Sequence, residues 1–165
     1  MKKHERIQRL TIAALFTSFA LILSYIEAIL PLSPPIPGTK LGLANLATLL
    51  MLYLLGAPYA FAVALLRILL AGLLFGSPFS LLYSLAGGLL AYLGMLSARL
   101  LRAPMIVVSL VGGLLHSVGQ ITVACLVTET PELLAYLPYM LAVSLVTGTL
   151  IGLCGRALLR YLPKN

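Results

Sequence analysis

Nearly the whole chain reads as apolar runs separated by short breaks, and each break contains proline: "PLSPPIPGT", "GAP", "FGSP", "RLLRAP" and "TETPE". Proline removes a backbone donor and disfavours helix in the residue before it, so each break ends one helix and frees the next. A helix that crosses a bilayer needs about 20 mostly apolar residues. The spacing predicts six such helices, at about 8–30, 41–56, 58–75, 78–98, 105–127 and 136–159. The second and third are short, so tilt or partial insertion is expected there. No polar stretch is long enough for a soluble domain, and residues 1–165 are expected to form a single transmembrane domain.

Composition agrees with that reading. Hydrophobic residues make up 61% of the chain and charged ones only 9%, where a soluble domain carries about a quarter. The net charge of +7 does not indicate nucleic acid, because the cations sit in short clusters at the ends of the apolar runs. With six spans both termini share one side. That side carries Lys2, Lys3, Arg6, Arg9, Arg99, Arg102, Arg156, Arg160 and Lys164. The other carries Lys40, Glu129 and Glu132. The asymmetry predicts cytoplasmic termini, an external "PLSPPIPGTK" loop and a multi-pass protein of the cytoplasmic membrane. The first run, from Leu10 to Leu30, is too long for a signal peptide and lacks a clear small-residue cleavage site, so it reads as a retained helix. Cys125 and Cys154 fall near opposite ends of different spans, which predicts packing residues rather than a disulfide or a metal site.

Charged residues inside spans are costly and each needs a reason. On the first span Ala13, Thr17, Ala20, Ser24 and Glu27 form one small and polar stripe that faces protein and ends at Glu27. Glu27 either snorkels to the interface or belongs to a site. Arg67 lies in the middle of "AFAVALLRILLAG", on a face with Ala60, Ala64 and Ala71. It is either a structural partner, for example of Glu27, or a fork that binds an anion. Gly112, His116 and Gln120 share one face of "GGLLHSVGQ". They face a satisfied core position or a ligand cavity. In "PIPGTKLGLANLATLL", Gly38 and Gly42 permit tight turns, and Lys40 and Asn45 sit where a helix would begin. Lys40 is there either as an interfacial lysine or as one wall of an anion site at the helix N-terminus. Together Glu27, Gly38, Lys40, Asn45, Arg67, His116 and Gln120 predict an outward pocket for a small ligand with an anionic part. Ser84, Gly87, Gly88 and Ala91, and likewise Ser144, Gly148 and Gly152, read as helix-packing faces.

The chain contains no aspartate, no Walker motif and no paired-carboxylate cluster. Neither ATP hydrolysis nor the metal-diphosphate chemistry of an Asp-rich enzyme is expected, and no cofactor or metal.

"PGTKLGLANLATLLMLYLLG", "LLRILLAGLLFGSPFSLLYSLAGGLLAY" and "GGLLHSVGQ" resemble the bacterial membrane family labelled heptaprenyl diphosphate synthase component I, also called the Gx transporter family. The resemblance covers roughly residues 10–160. That family in turn resembles the substrate-binding S components of energy-coupling-factor transporters. The likeness implies an all-α bundle of six helices with cytoplasmic termini and an outward site capped by the first external loop. It also implies a small-residue contact from the first helix to a transmembrane coupling subunit with ATPases, for which Ala14-x-x-x-Ser18 is the nearest match.

Three functions follow as expectations. The first is a non-enzymatic substrate-binding protein that captures a small anionic, vitamin-like or isoprenoid-related molecule from outside. In it Lys40 and Arg67 hold the anion, Asn45, His116 and Gln120 orient it, and residues 31–40 act as a lid pivoting on Gly38 and Gly42. Arg99 and Arg102 are then candidates for touching a cytoplasmic partner. The second is a non-catalytic membrane subunit assisting a soluble prenyl synthase. The third is a stand-alone transporter coupled to protons through His116 or Glu27.

Overall fold

The computed structural model describes residues 3–29 and 40–162. Over these residues the chain is all-helical. It comprises α1 (Lys3–Ile29), α2 (Asn45–Leu54), α3 (Ala57–Phe75), α4 (Pro78–Leu100), α5 (Met105–Thr128) and α6 (Leu137–Leu158), with a 3-10 turn at Pro131–Tyr136 before α6. The four proline breaks within the described residues fall at the starts of helical elements, as their chemistry requires. Pro78 opens α4 behind an N-cap serine, Ser77, whose hydroxyl accepts the Ser80 N–H at 3.1 Å. Gly56, at φ 91°, supplies the left-handed residue that turns α2 into α3.

Five helices are long and apolar enough to cross a bilayer, and the chain is a multi-pass membrane protein. The second span is shorter than its apolar run suggested. α2 has 10 residues, about 15 Å of helix, half of a hydrocarbon core roughly 30 Å thick. Residues 40–44 enter it as non-helical backbone and a turn, with Asn45 N–H on the Gly42 carbonyl at 2.9 Å. Irregular backbone at that depth is tolerated only where protein or water surrounds it. Here protein does, because Lys40, Gly42 and Ala44 are buried.

α2 is also the centre of the bundle. It packs against each of the other five helices, and Asn45, Ala47, Thr48, Leu49, Leu50, Met51 and Leu52 are all buried. A helix that is apolar all round belongs inside a protein. Burial against protein instead of lipid brings little hydrophobic gain, so close packing must hold the bundle together. The glycines provide it. A Cβ on Gly119 of α5 would stand 2.8 Å from the Ala86 carbonyl oxygen and 2.9 Å from the Gly87 Cα on α4. A Cβ on Gly152 of α6 would meet the Ile106 Cα of α5 at 2.7 Å. Hydroxyls add one tie between α5 and α6, Ser117 to Ser144 at 2.6 Å.

The remaining helices divide around this core. α1 packs on α3 and α2, and α6 on α5 and α2; among the described residues α1 and α6 do not pack on each other. Gln8 near the start of α1 and Leu162 after the end of α6 line one cavity, so both described termini lie at the same end of the bundle.

Candidate functional site

The site is at the other end, and it begins with the stripe on α1. The residues α1 buries are Thr17, Ala20, Ser24 and Glu27. Glu27 is 2% exposed. Its Oε1 accepts the backbone N–H of Gly42, and that of Leu43 at 3.3 Å. The carboxylate therefore holds the turn that leads into α2. Gly42 has φ 86°, and a Cβ on it would press to 2.9 Å from the Asn45 amide and 3.4 Å from the His116 ring.

Asn45 opens α2 without capping it; the N-cap position is Ala44, with no side-chain cap. Its amide reaches sideways to α3, where Asn45 Oδ1 accepts Arg67 Nη2 at 2.8 Å. Arg67 is 2% exposed and shares the buried face of α3 with Ala60, Val63, Ala64, Ile68 and Ala71. These mostly small neighbours leave the long guanidinium room to cross the interface. An arginine at the centre of a spanning helix costs about 2.5–3.5 kcal/mol on insertion scales, so its position demands compensation.

α5 closes the cluster. His116 and Gln120 are buried side by side on it, against Gly87 of α4. A Cβ on Gly87 would lie 2.8 Å from Gln120 Cγ and 3.0 Å from His116 Nδ1. Gln120 Oε1 accepts the Lys40 backbone N–H at 3.3 Å, which ties the segment entering α2 to α5. Thus Glu27, Lys40, Asn45, Arg67, His116 and Gln120, from four helices and a loop, form one connected polar cluster.

The cluster is not internally satisfied. Buried polar atoms usually have a hydrogen-bond partner. Here Glu27 Oε2, Arg67 Nε, both His116 ring nitrogens and Gln120 Nε2 have none among the described residues. The same holds for Ser24 Oγ, Thr48 Oγ1 and Ser84 Oγ. From sequence Ser24 reads as part of the α1 stripe and Ser84 as a packing residue, and nothing marks Thr48. Their signal is positional: Ser24 lies three residues before Glu27, Thr48 three after Asn45, and Ser84 three before Gly87, each on the adjoining turn of the same helix face.

Glu27 and Arg67 do not hydrogen-bond each other. The carboxylate is on backbone N–H groups and the guanidinium on a neutral amide. The arrangement can therefore take an additional negative group. It has no grouping for metal binding: among the described residues no three His, Cys, Asp or Glu come together.

Other expected residues lie elsewhere. Gly38 and the loop 31–39 fall outside the described residues. Ala14 and Ser18 are exposed on α1, with the Ser18 hydroxyl donating to the Ala14 carbonyl at 3.2 Å. Arg102 is exposed, in left-handed backbone at φ 59°. Arg99 turns inward instead. It donates to the Leu52 carbonyl at the end of α2 and lies over the Tyr53 ring, 4.8 Å from its centroid.

Compared with known proteins, residues 16–158 match the family model described as Heptaprenyl diphosphate synthase component I. A search of curated proteins finds no match.

Proposed function

The chain belongs to the heptaprenyl diphosphate synthase component I family, and on that premise we propose that this membrane protein binds a small ligand with an anionic group in the polar cluster around Arg67. One observation carries the reading. Two buried cations, Arg67 and Lys40, share the cluster with a single carboxylate whose Oε1 is already engaged by the backbone of Gly42 and Leu43. A further anion would offset the desolvation of Arg67 and give its Nε a partner.

In this reading Arg67 and Lys40 hold the anion. Asn45 fixes the guanidinium, and Glu27 fixes the turn at Gly42. His116 and Gln120 supply the polar groups that orient the rest of the ligand. Arg6, Arg9, Arg99, Arg102, Arg156 and Arg160 crowd the end that holds the termini. The positive-inside rule sets that end in the cytoplasm, so the site faces outward, as in a protein that captures its ligand for import. Ala14 and Ser18, exposed on α1, are available to a transmembrane coupling subunit that carries its own ATPases.

The family's printed name favours a second reading, a non-catalytic subunit associated with a prenyl synthase. Native mass spectrometry of the protein purified gently from its own host separates the two. The binding reading expects a small anionic adduct that Arg67→Ala abolishes while folded protein is still recovered. A stoichiometric soluble synthase with no adduct would overturn it in favour of the second reading.

A further inference from the structure

At the end of the bundle away from this cluster, α1 and α6 both rest on α2 without meeting, and an apolar groove runs between them. One cavity of about 280 Å³ is lined by Leu15, Phe16, Phe19, Leu50, Leu158 and Leu162. A second, about 230 Å³, shares Leu15, Phe16 and Leu162 and continues past Ile12 to Gln8 and the end of α2. We propose that this groove is a binding site for one acyl chain of a membrane phospholipid, wedged between α1 and α6 with its headgroup at the Gln8 end.

Three observations select that occupant. First, the groove opens sideways: Leu15 is 65% and Leu158 40% exposed, and both lie on helices that cross the membrane. What reaches them is the hydrocarbon of the bilayer. Second, the dimensions suit a chain and not a helix. From Gln8 to Phe19 the groove follows α1 for about 16 Å, and a helix of that length, 10–12 Å across, fills roughly 1,300 Å³. The two cavities together enclose about 510 Å³ at most, well under half of that. Third, the lining carries no charged side chain, and its single polar residue, Gln8, stands at the terminal end. Near that end Lys3, Arg6 and Arg9 outnumber Glu5, but none of these charged residues lines either cavity. The site therefore reads the chain and not the charge of the headgroup. A lipid held there would fill the gap between α1 and α6 and keep the two helices in register.

The test uses the full chain reconstituted with palmitoyl-oleoyl phosphatidylcholine and then released from detergent micelles in native mass spectrometry. The wild type is expected to retain one phospholipid. Leu15→Trp and Leu158→Phe, which fill the groove from exposed positions, are expected to lose it, and Leu73→Trp, 78% exposed on α3, to keep it. The chain has no tryptophan, so Phe19→Trp places a single fluorophore in the groove. Phosphatidylcholine brominated on its acyl chain should quench it, and the quenching should persist after dilution into unbrominated detergent, while that of Leu73→Trp disappears. Equal loss of quenching at both positions, or a lipid adduct unchanged by Leu15→Trp and Leu158→Phe, overturns the proposal. A dimer that covers the groove without lipid overturns it as well.

Discussion

Arg67 and Arg99 are both drawn to α2, one at its first turn and the other at its last. Arg99 is half-buried; its guanidinium donates to the Leu52 carbonyl and stacks on Tyr53. The last carbonyls of a helix lack intrahelical partners and carry the negative end of the dipole, so a cation there answers a need of the fold. Arg67 is fully enclosed and meets the side with free N–H groups, where a cation is the wrong sign for the dipole. Its partner is a neutral amide and its Nε has none among the described residues. The same side chain thus completes the helix at one end and leaves charge to be matched at the other. The first arrangement stabilises a fold; the second is the one that the proposed ligand would complete.

Substitutions can break this contrast. The largest effect is expected on binding: Arg67→Ala should weaken the anion retained by the wild-type protein by roughly 10- to 150-fold, as for loss of a hydrogen bond to a charged group. Titration of the purified protein checks it, and Arg99→Ala should leave that affinity unchanged. Next is stability. Arg99→Met removes the contact to Leu52 and should lower resistance to unfolding in detergent by about 2 kcal/mol. Arg67→Met should act in the opposite direction, raising the stability of the ligand-free protein by about 1 kcal/mol, because the desolvation of the fully buried guanidinium outweighs its attraction to Glu27. A fall in stability on Arg67→Met would make the two arginines alike and the site structural. The smallest effect tests the charge balance: Glu27→Gln keeps an acceptor for Gly42 and Leu43 but removes the competing carboxylate, so anion affinity should rise roughly three- to tenfold. A fall would place Glu27 on the ligand.

The contrast between the arginines also marks how far the sequence could be read. Arg67, His116 and Gln120 stood out because polar groups in apolar runs are costly, and spacing along one helix put His116 and Gln120 on one face. Arg99 was not legible in the same way. At the end of a span a basic residue already has an explanation in membrane topology, which masks a specific contact to the end of another helix. Thr48 was missed because a threonine in an apolar helix is common, and only its neighbours reveal that it lacks a partner. Hydropathy overstates the length of α2 because it reports how apolar a segment is, not whether it is helical. Residues 41–44 are apolar enough to continue the run, and Glu27, from another helix, holds their backbone in a turn.

The sequence alone determined a multi-pass helical membrane protein, where its helices break, and which side chains are too costly to be incidental. Those properties depend on residues close together in the chain, through the solvation of each segment and the conformational limits of proline and glycine. The tertiary structure alone decided that the shortest helix is the hub, that Arg99 meets helix carbonyls while Arg67 meets a neutral amide, and that α1 and α6 part around a groove. Those depend on which atoms of distant segments approach one another, and in a membrane, where apolar faces are solvated equally by lipid and by protein, hydropathy carries no information about that choice.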